Sequence, residues 1–594
     1  MKEFVKTVLA VICGLFLMQV IGFILFFAVV GSMAALGGKG TPVLPRNGVL
    51  DLDMSAFILG EQSREGTPDL RSFSMEATPT IGIWEAVQAL EKAAADPAVR
   101  YVFLRSDGLS AGMAQLQEMR AALGRFRESG KAVVAFTENP SNGSYYLASV
   151  ADKVYMTSAH GGQTMLVGLS GRLLFLKDLL DRLGINYQLI RHGKYKSAGE
   201  MYIKSSPSPE NLEQNRAMLD AVWTSFSGAM AESRGIQADD LDALIDNLSF
   251  NFPEDFLEHG LVDSLVDREQ LVRKLCDLAV VDRQEDLHLV PFADYVAAKV
   301  PENAFAKTQV AILYADGTIV DDSDSDNDIV ADRFVRTIDK VRKDNSVKAV
   351  VLRVNSPGGS VLASSKIRAA LDLLREEKPL VASYGNYAAS GGYWISSGCR
   401  KVYADAATLT GSIGVFSMIP EFSKTAKDLA HVNVVTIGTH KHSDMFSLMR
   451  PFDAAETAYM QASVEDIYNQ FVTLVSEGRG MTPERVDEIA QGRVWAGSDA
   501  LGIGLVDEIG TLRDAVSFAA SEAGLFSGDD YAVVGYPKPK STWEQLLAMF
   551  GQGTDEESIL SGTPFAGMAT ALRSLRQGAP TQVYAQMPYT IDIR

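Results

Sequence analysis

The 594-residue sequence has only three cysteines, Cys13, Cys276 and Cys399, and the first stands in an apolar stretch, so no disulfide framework can be read. Its seven histidines form no His-Glu-x-x-His, and no Cys-x-x-Cys occurs, so no metal ligands and no cofactor are expected. Basic residues are also short: 55 Lys+Arg against 74 Asp+Glu leave a net charge of −19, with no long basic run. Such a chain repels phosphate backbones, so nucleic acid is not an expected partner. The glycine-rich turns lack the Gly-Lys-Ser/Thr ending of a phosphate-binding loop. What is present is ordinary globular material, 47% hydrophobic and 22% charged, long enough for several domain-sized units.

One segment departs from that composition. No charged residue occurs from Thr7 to Gly38, and Leu9 to Val30 is an unbroken apolar core save for Gln19. As a helix it would cross a hydrocarbon layer of about 30 Å. A cleaved signal peptide has a much shorter apolar region, so an uncleaved anchor is expected over residues 1–45. Lys2 and Lys6 favour a cytoplasmic amino terminus, which places the bulk of the chain outside the cytoplasm.

The remainder is organised by an internal repeat. Tyr101 to Leu123 lies ungapped on Ala349 to Leu371, with Leu104/Leu352 and Arg105/Arg353 in register. Lys131 to Phe136 then meets Lys378 to Ser383, Asp152 to Met156 meets Arg400 to Ala404, and His259 to Leu265 meets Ile503 to Ile509. Two units follow, 46–304 and 305–535, with a tail over 536–594. Within them β-branched runs such as those at Val310, Ala349 and Leu380 alternate with helical patterns over Ile329–Arg342, Ser364–Arg375 and Pro483–Gln491, which predicts an α/β fold. Trp543 to Phe550 reads as a further helix packed on the core.

The chemistry-bearing signals sit in turns. Asn355-Ser-Pro-Gly-Gly-Ser360 ends a strand and opens a helix, where glycine allows N–H groups to face a developing oxyanion. Ser390-Gly391-Gly392 follows, then Thr408-Leu-Thr-Gly-Ser412-Ile-Gly. The first unit lacks this set: it has Ser106 to Ala111 opposite the Pro-Gly-Gly turn and Gln163-Thr164-Met165 opposite Ser412. It carries instead Gly193-Lys-Tyr-Lys196-Ser197, where the second unit has Ser443 opposite Lys196. Complementary losses are what a duplicated enzyme shows when one active site is built from both halves.

These motifs, with Gly492 to Gly510, resemble the protease IV, or signal peptide peptidase A, family in its long, duplicated form. The resemblance implies two tandem Clp/crotonase-like spiral repeats behind one transmembrane helix, in a serine endopeptidase with a Ser/Lys dyad. Ser412 matches the nucleophile, Lys196 the general base, and Gly359 with Ile413 the oxyanion donors. Gly358, Ser390, Gly391 and Gly392 would line the peptide-binding edge. The family also implies signal-peptide remnants as substrates, a single-pass protein of the bacterial inner membrane with its catalytic part in the periplasm, and a homo-oligomer, a tetramer in this form. Lysine works as a base only when neutral, so burial must depress its pKa from about 10.4. A Ser412/His442/Asp444 triad, a crotonase-like acyl-CoA enzyme and a degenerate membrane scaffold are the alternatives.

Overall fold

The computed structural model describes residues 44–64, 78–301, 303, 305–526, 531–539 and 583–587, with positions 14, 17, 18 and 42. The expected membrane helix and the Trp543–Phe550 helix lie outside the described residues. Among the described residues no helix is long and apolar enough to cross a membrane.

Each half builds an α/β unit on a sheet whose strands follow the same order. In the first, the strands run Ser264–Val266, Lys153–Thr157, Val133–Thr137, Val99–Arg105, Gly48–Asp53 and His288–Pro291, all parallel. In the second, Leu380–Ala389, Val347–Ser356, Gln309–Asp316 and Ala532–Tyr536 repeat the arrangement, and Val494–Ala496 adds an antiparallel edge beyond Leu409–Gly411. The central strands are buried on both faces, as a parallel sheet covered by helices requires.

The helices observed over Ala331–Lys343, Val361–Glu377 and Pro483–Ile489 overlap the three read from the sequence. Ser360 caps the second, its hydroxyl accepting from the Ala363 N–H at 3.3 Å. The repeat extends to two 26-residue helices, Pro209–Arg234 and Ala454–Arg479. Both start at a capping side chain, Ser208 or Asp453, and both end on a left-handed glycine, Gly235 or Gly480.

A third sheet joins the halves. Asn186–His192 of the first unit pairs antiparallel with Val415–Glu421 of the second over seven residues, from Asn186 opposite Glu421 to His192 opposite Val415. The units also share a buried ionic contact. Arg353, on the central strand of the second unit, reaches Glu61 and Glu118 of the first, each at 2.6 Å.

Candidate active site

The cross-unit strand pair dictates the site. His192 stands opposite Val415, Lys196 follows His192 by one turn of chain, and Ser412 precedes Val415. The two side chains therefore meet at the end of the ladder: Lys196 Nζ lies 2.9 Å from Ser412 Oγ. Nζ also lies 2.8 Å from Ser390 Oγ and 3.1 Å from the Ser412 carbonyl oxygen. Nζ thus has three oxygen neighbours, the number that a neutral amine can serve with two N–H bonds and one lone pair.

Both residues are completely buried. Burial alone drives the Lys196 pKa well below its ordinary value, because the ammonium form loses its hydration. No carboxylate is among the hydrogen-bond partners of this Nζ in the described residues, so nothing restores the charge. Lys194, two residues earlier, is exposed, with its Nζ 5.0 Å from the Tyr195 ring.

The backbone around the pair is strained where the chemistry sits. Ser412 has φ +48° and Ser390 φ +56°, a region that side-chain-bearing residues avoid. Ser412 is held there by its N–H donating to Arg493 O at 2.7 Å, and the Ser390 N–H donates to Gly411 O at 2.8 Å. Glycine is required at Gly492, φ +80°, where a Cβ would stand 2.6 Å from both N and Cβ of Lys196. Gly492→Ala should push the lysine off the serine and lower kcat on a peptide ester about 10- to 100-fold, since a 1 Å misplacement costs up to about 10². Stopped-flow or steady-state hydrolysis measures it.

The Pro-Gly-Gly turn packs against the segment that begins at Ser390. Gly358 and Gly359 have φ +97° and +158°, and a Cβ on Gly391 would stand 3.1 Å from the Gly358 Cα and from the Gly359 nitrogen. Gly391 and Gly392 thus pack behind the turn and hold its shape: a Cβ on Gly392 would meet Ser356 O at 2.8 Å. Ile413 is buried, and its carbonyl accepts from the Gly492 N–H at 2.8 Å. The Ser390 hydroxyl, expected on the peptide edge, is turned to the lysine amine.

Gln214 is a residue the sequence reading missed. From the long helix of the first unit its Nε2 donates to Tyr195 O at 2.9 Å and Ser197 Oγ at 3.0 Å, while its Oε1 accepts from the Val494 N–H of the second unit. It ties the lysine segment to the serine unit. Ser197 therefore serves Gln214 and does not hold the lysine amine. A glutamine on a largely polar helix carries no periodic signal that would mark it.

The histidine alternative is corrected by the same geometry. His442 Nδ1 lies 2.9 Å from Glu456 Oε1, and Asp444 is held by Arg450 at 2.6 and 3.0 Å, so the three groups do not form a relay to Ser412. His442, Asp453 and Glu456 bring donor atoms within 4.8 Å of one another, but Arg450 donates to both oxygens of Glu456 and places a fixed positive charge where a cation would sit.

Comparison with known proteins gives the family. A model of Peptidase family S49 matches twice, over residues 125–282 and 372–525, once in each unit. Protease 4 of Haemophilus influenzae is 34% identical over 84% of this chain and 83% of that protein. The chloroplastic serine protease SPPA of Arabidopsis thaliana is 29% identical over 77% of this chain and 68% of that protein. A solved ClpP1 mutant from Listeria monocytogenes is 14% identical with a TM-score of 0.24 over 34% of this chain and 94% of that one, too slight a likeness to bear on the fold. A peptidase family spanning both units displaces the acyl-CoA and scaffold alternatives: the chain belongs to peptidase family S49 and is a serine peptidase.

Proposed function

We propose that this serine peptidase is an endopeptidase working through a Ser412/Lys196 dyad at a membrane surface, in two Clp/crotonase-like spiral units. Ser412 Oγ attacks the peptide carbonyl while Lys196 takes its proton, then returns it to the leaving amine, and a water activated by the same amine releases the acyl group. The N–H groups of Gly359 and Ile413 stabilise the oxyanion. The observation that carries this reading is a fully buried lysine with its amine on a serine hydroxyl and no carboxylate among its partners.

The substrates proposed are signal-peptide remnants. Their apolar cores partition into bilayers, and an anchor formed by Leu9 to Val30 would hold the catalytic units beside that supply, on the periplasmic side of the bacterial inner membrane. The partner proposed is a second copy of this chain, in a tetrameric ring. The repeat places Asn433 to Thr439 where the first unit has its crossing strand Asn186–His192, yet Val434, Val435 and Ile437 are exposed, Ile437 at 95%. Pairing with a neighbouring copy would cover them as the crossing strand is covered within the chain.

A fluorophosphonate tests the dyad. The probe should label one residue, Ser412, identified by peptide mapping, and labelling should rise with pH as the lysine loses its proton. A label on another serine, or none, overturns the reading.

A further inference from the structure

The sheet that joins the units contains one strand from far outside both. Val583–Gln586, separated from the second unit by more than forty residues of sequence, lies between Gly358–Ser360 and Val415–Glu421 and is antiparallel to each. The pairs are Gly358 with Gln586, Gly359 with Ala585 and Ser360 with Tyr584 on one side, and Phe416 with Tyr584 and Ser417 with Val583 on the other. The ladder continues past the strand, where the Met587 N–H donates to Pro357 O at 2.6 Å.

This position is the one an extended peptide would take. Its two rails are the turn proposed to bind the oxyanion and the strand that begins just after Ser412. Their other edges are already paired, with Thr318–Val320 and with Asn186–His192. Following the tail from Tyr584 toward Met587 moves along the second rail from Phe416 back toward Ser412. Ala585 is completely buried and Met587 nearly so, and the Ala585 carbonyl oxygen lies 2.1 Å from where a Cβ on Gly358 would stand. Only a small side chain at 585 and glycine at 358 allow so close an approach. Peptide capture by strand addition uses main-chain pairing for affinity and alternate side-chain pockets for choice, and both are satisfied here by the chain itself.

We propose that residues 583–587 occupy the peptide groove in cis, so that a substrate must displace the enzyme's own carboxy-terminal strand before it can reach Ser412. The inference rests on the peptidase reading of the Ser412 site. A tethered strand competes at a high effective concentration, which lowers the apparent affinity for an incoming peptide by the fraction of molecules left open.

Two substitutions in the full chain eject the strand by different means. Ala585→Arg puts a long cation where no side-chain volume exists, and Tyr584→Pro removes an N–H from a residue paired on both sides. In a Ser412→Ala background, which prevents turnover, a fluorescent peptide with the sequence of residues 581–589 should bind each variant about tenfold more tightly than the parent, read by anisotropy. With Ser412 intact, fluorophosphonate labelling should be about tenfold faster in both variants. Equal peptide affinity and equal labelling rates in parent and variants overturn the tail inference while leaving the dyad standing. Absence of labelling in every form overturns the dyad and the tail inference with it.

Discussion

Lys196→Met should lower kcat/KM on a peptide ester by about 10³-fold or more while the protein remains folded, because a serine hydroxyl at neutral pH is almost inert without a partner to take its proton. Methionine fills nearly the same volume and brings no charge, so the loss is chemical and not steric. In the wild type the rate should climb with pH through the depressed lysine pKa and level off above it, since only the neutral amine can accept the serine proton. Lys196→Arg should stay inactive across the same range, as a guanidinium does not deprotonate. The same burial has a stability signature. The folded lysine holds fewer protons than the unfolded one between its lowered pKa and the ordinary value, so wild-type stability gains with rising pH across that window. Lys196→Met lacks this gain. Its melting temperature should exceed that of the wild type most at low pH and converge as pH rises, measured by calorimetry. A methionine variant that hydrolyses the ester normally would remove the lysine from the mechanism.

Much of this site was legible because duplication made the sequence its own control. The Pro-Gly-Gly turn and Ser412 in one half, and Lys196 in the other, stand out only when the halves are laid on each other. The helix starts at Ser360 and Thr482 were legible because capping is local chemistry. What joined the halves was not. Asn186–His192 reads Asn-Tyr-Gln-Leu-Ile-Arg-His, without the clean alternation of a half-buried strand, and its partner lies more than two hundred residues away. The tail strand was hidden for a related reason. Val-Tyr-Ala-Gln is four residues long, and two of its three partners on one side are glycines, whose contribution is backbone alone. The family resemblance puts Ser390 on the peptide-binding edge, and its contact with the lysine depends on a positive-φ backbone that the sequence does not announce.

The dyad also depends on a contact some distance from it. Arg353 is wholly buried and its guanidinium is shared between Glu61, Glu118, the Ser383 hydroxyl and the Tyr384 carbonyl. Burial alone would lower its pKa, but Glu118 and Glu61 together hold it above the usual value. Glu118 in turn accepts the Leu512 N–H at 2.9 Å, so one carboxylate of the first unit binds two elements of the second. Arg353→Ala leaves two carboxylates in a dry interface with their main counter-charge gone, and the expected loss is about 3–5 kcal/mol of stability. The loss should grow with pH. Without the guanidinium, nothing of like strength offsets the burial that raises the Glu118 carboxyl pKa, so the variant's remaining stability is present where that group is protonated and falls as pH rises through it. Glu118→Gln in the Arg353→Ala chain removes one of the two stranded charges and should recover part of the loss, most at high pH. Thermal unfolding across a pH series measures both effects, and Ser412 labelling should fall in step with the folded fraction. A variant as stable as the wild type at every pH would mean that the crossing strand Asn186–His192 and Gln214 hold lysine and serine together without the Arg353 contact.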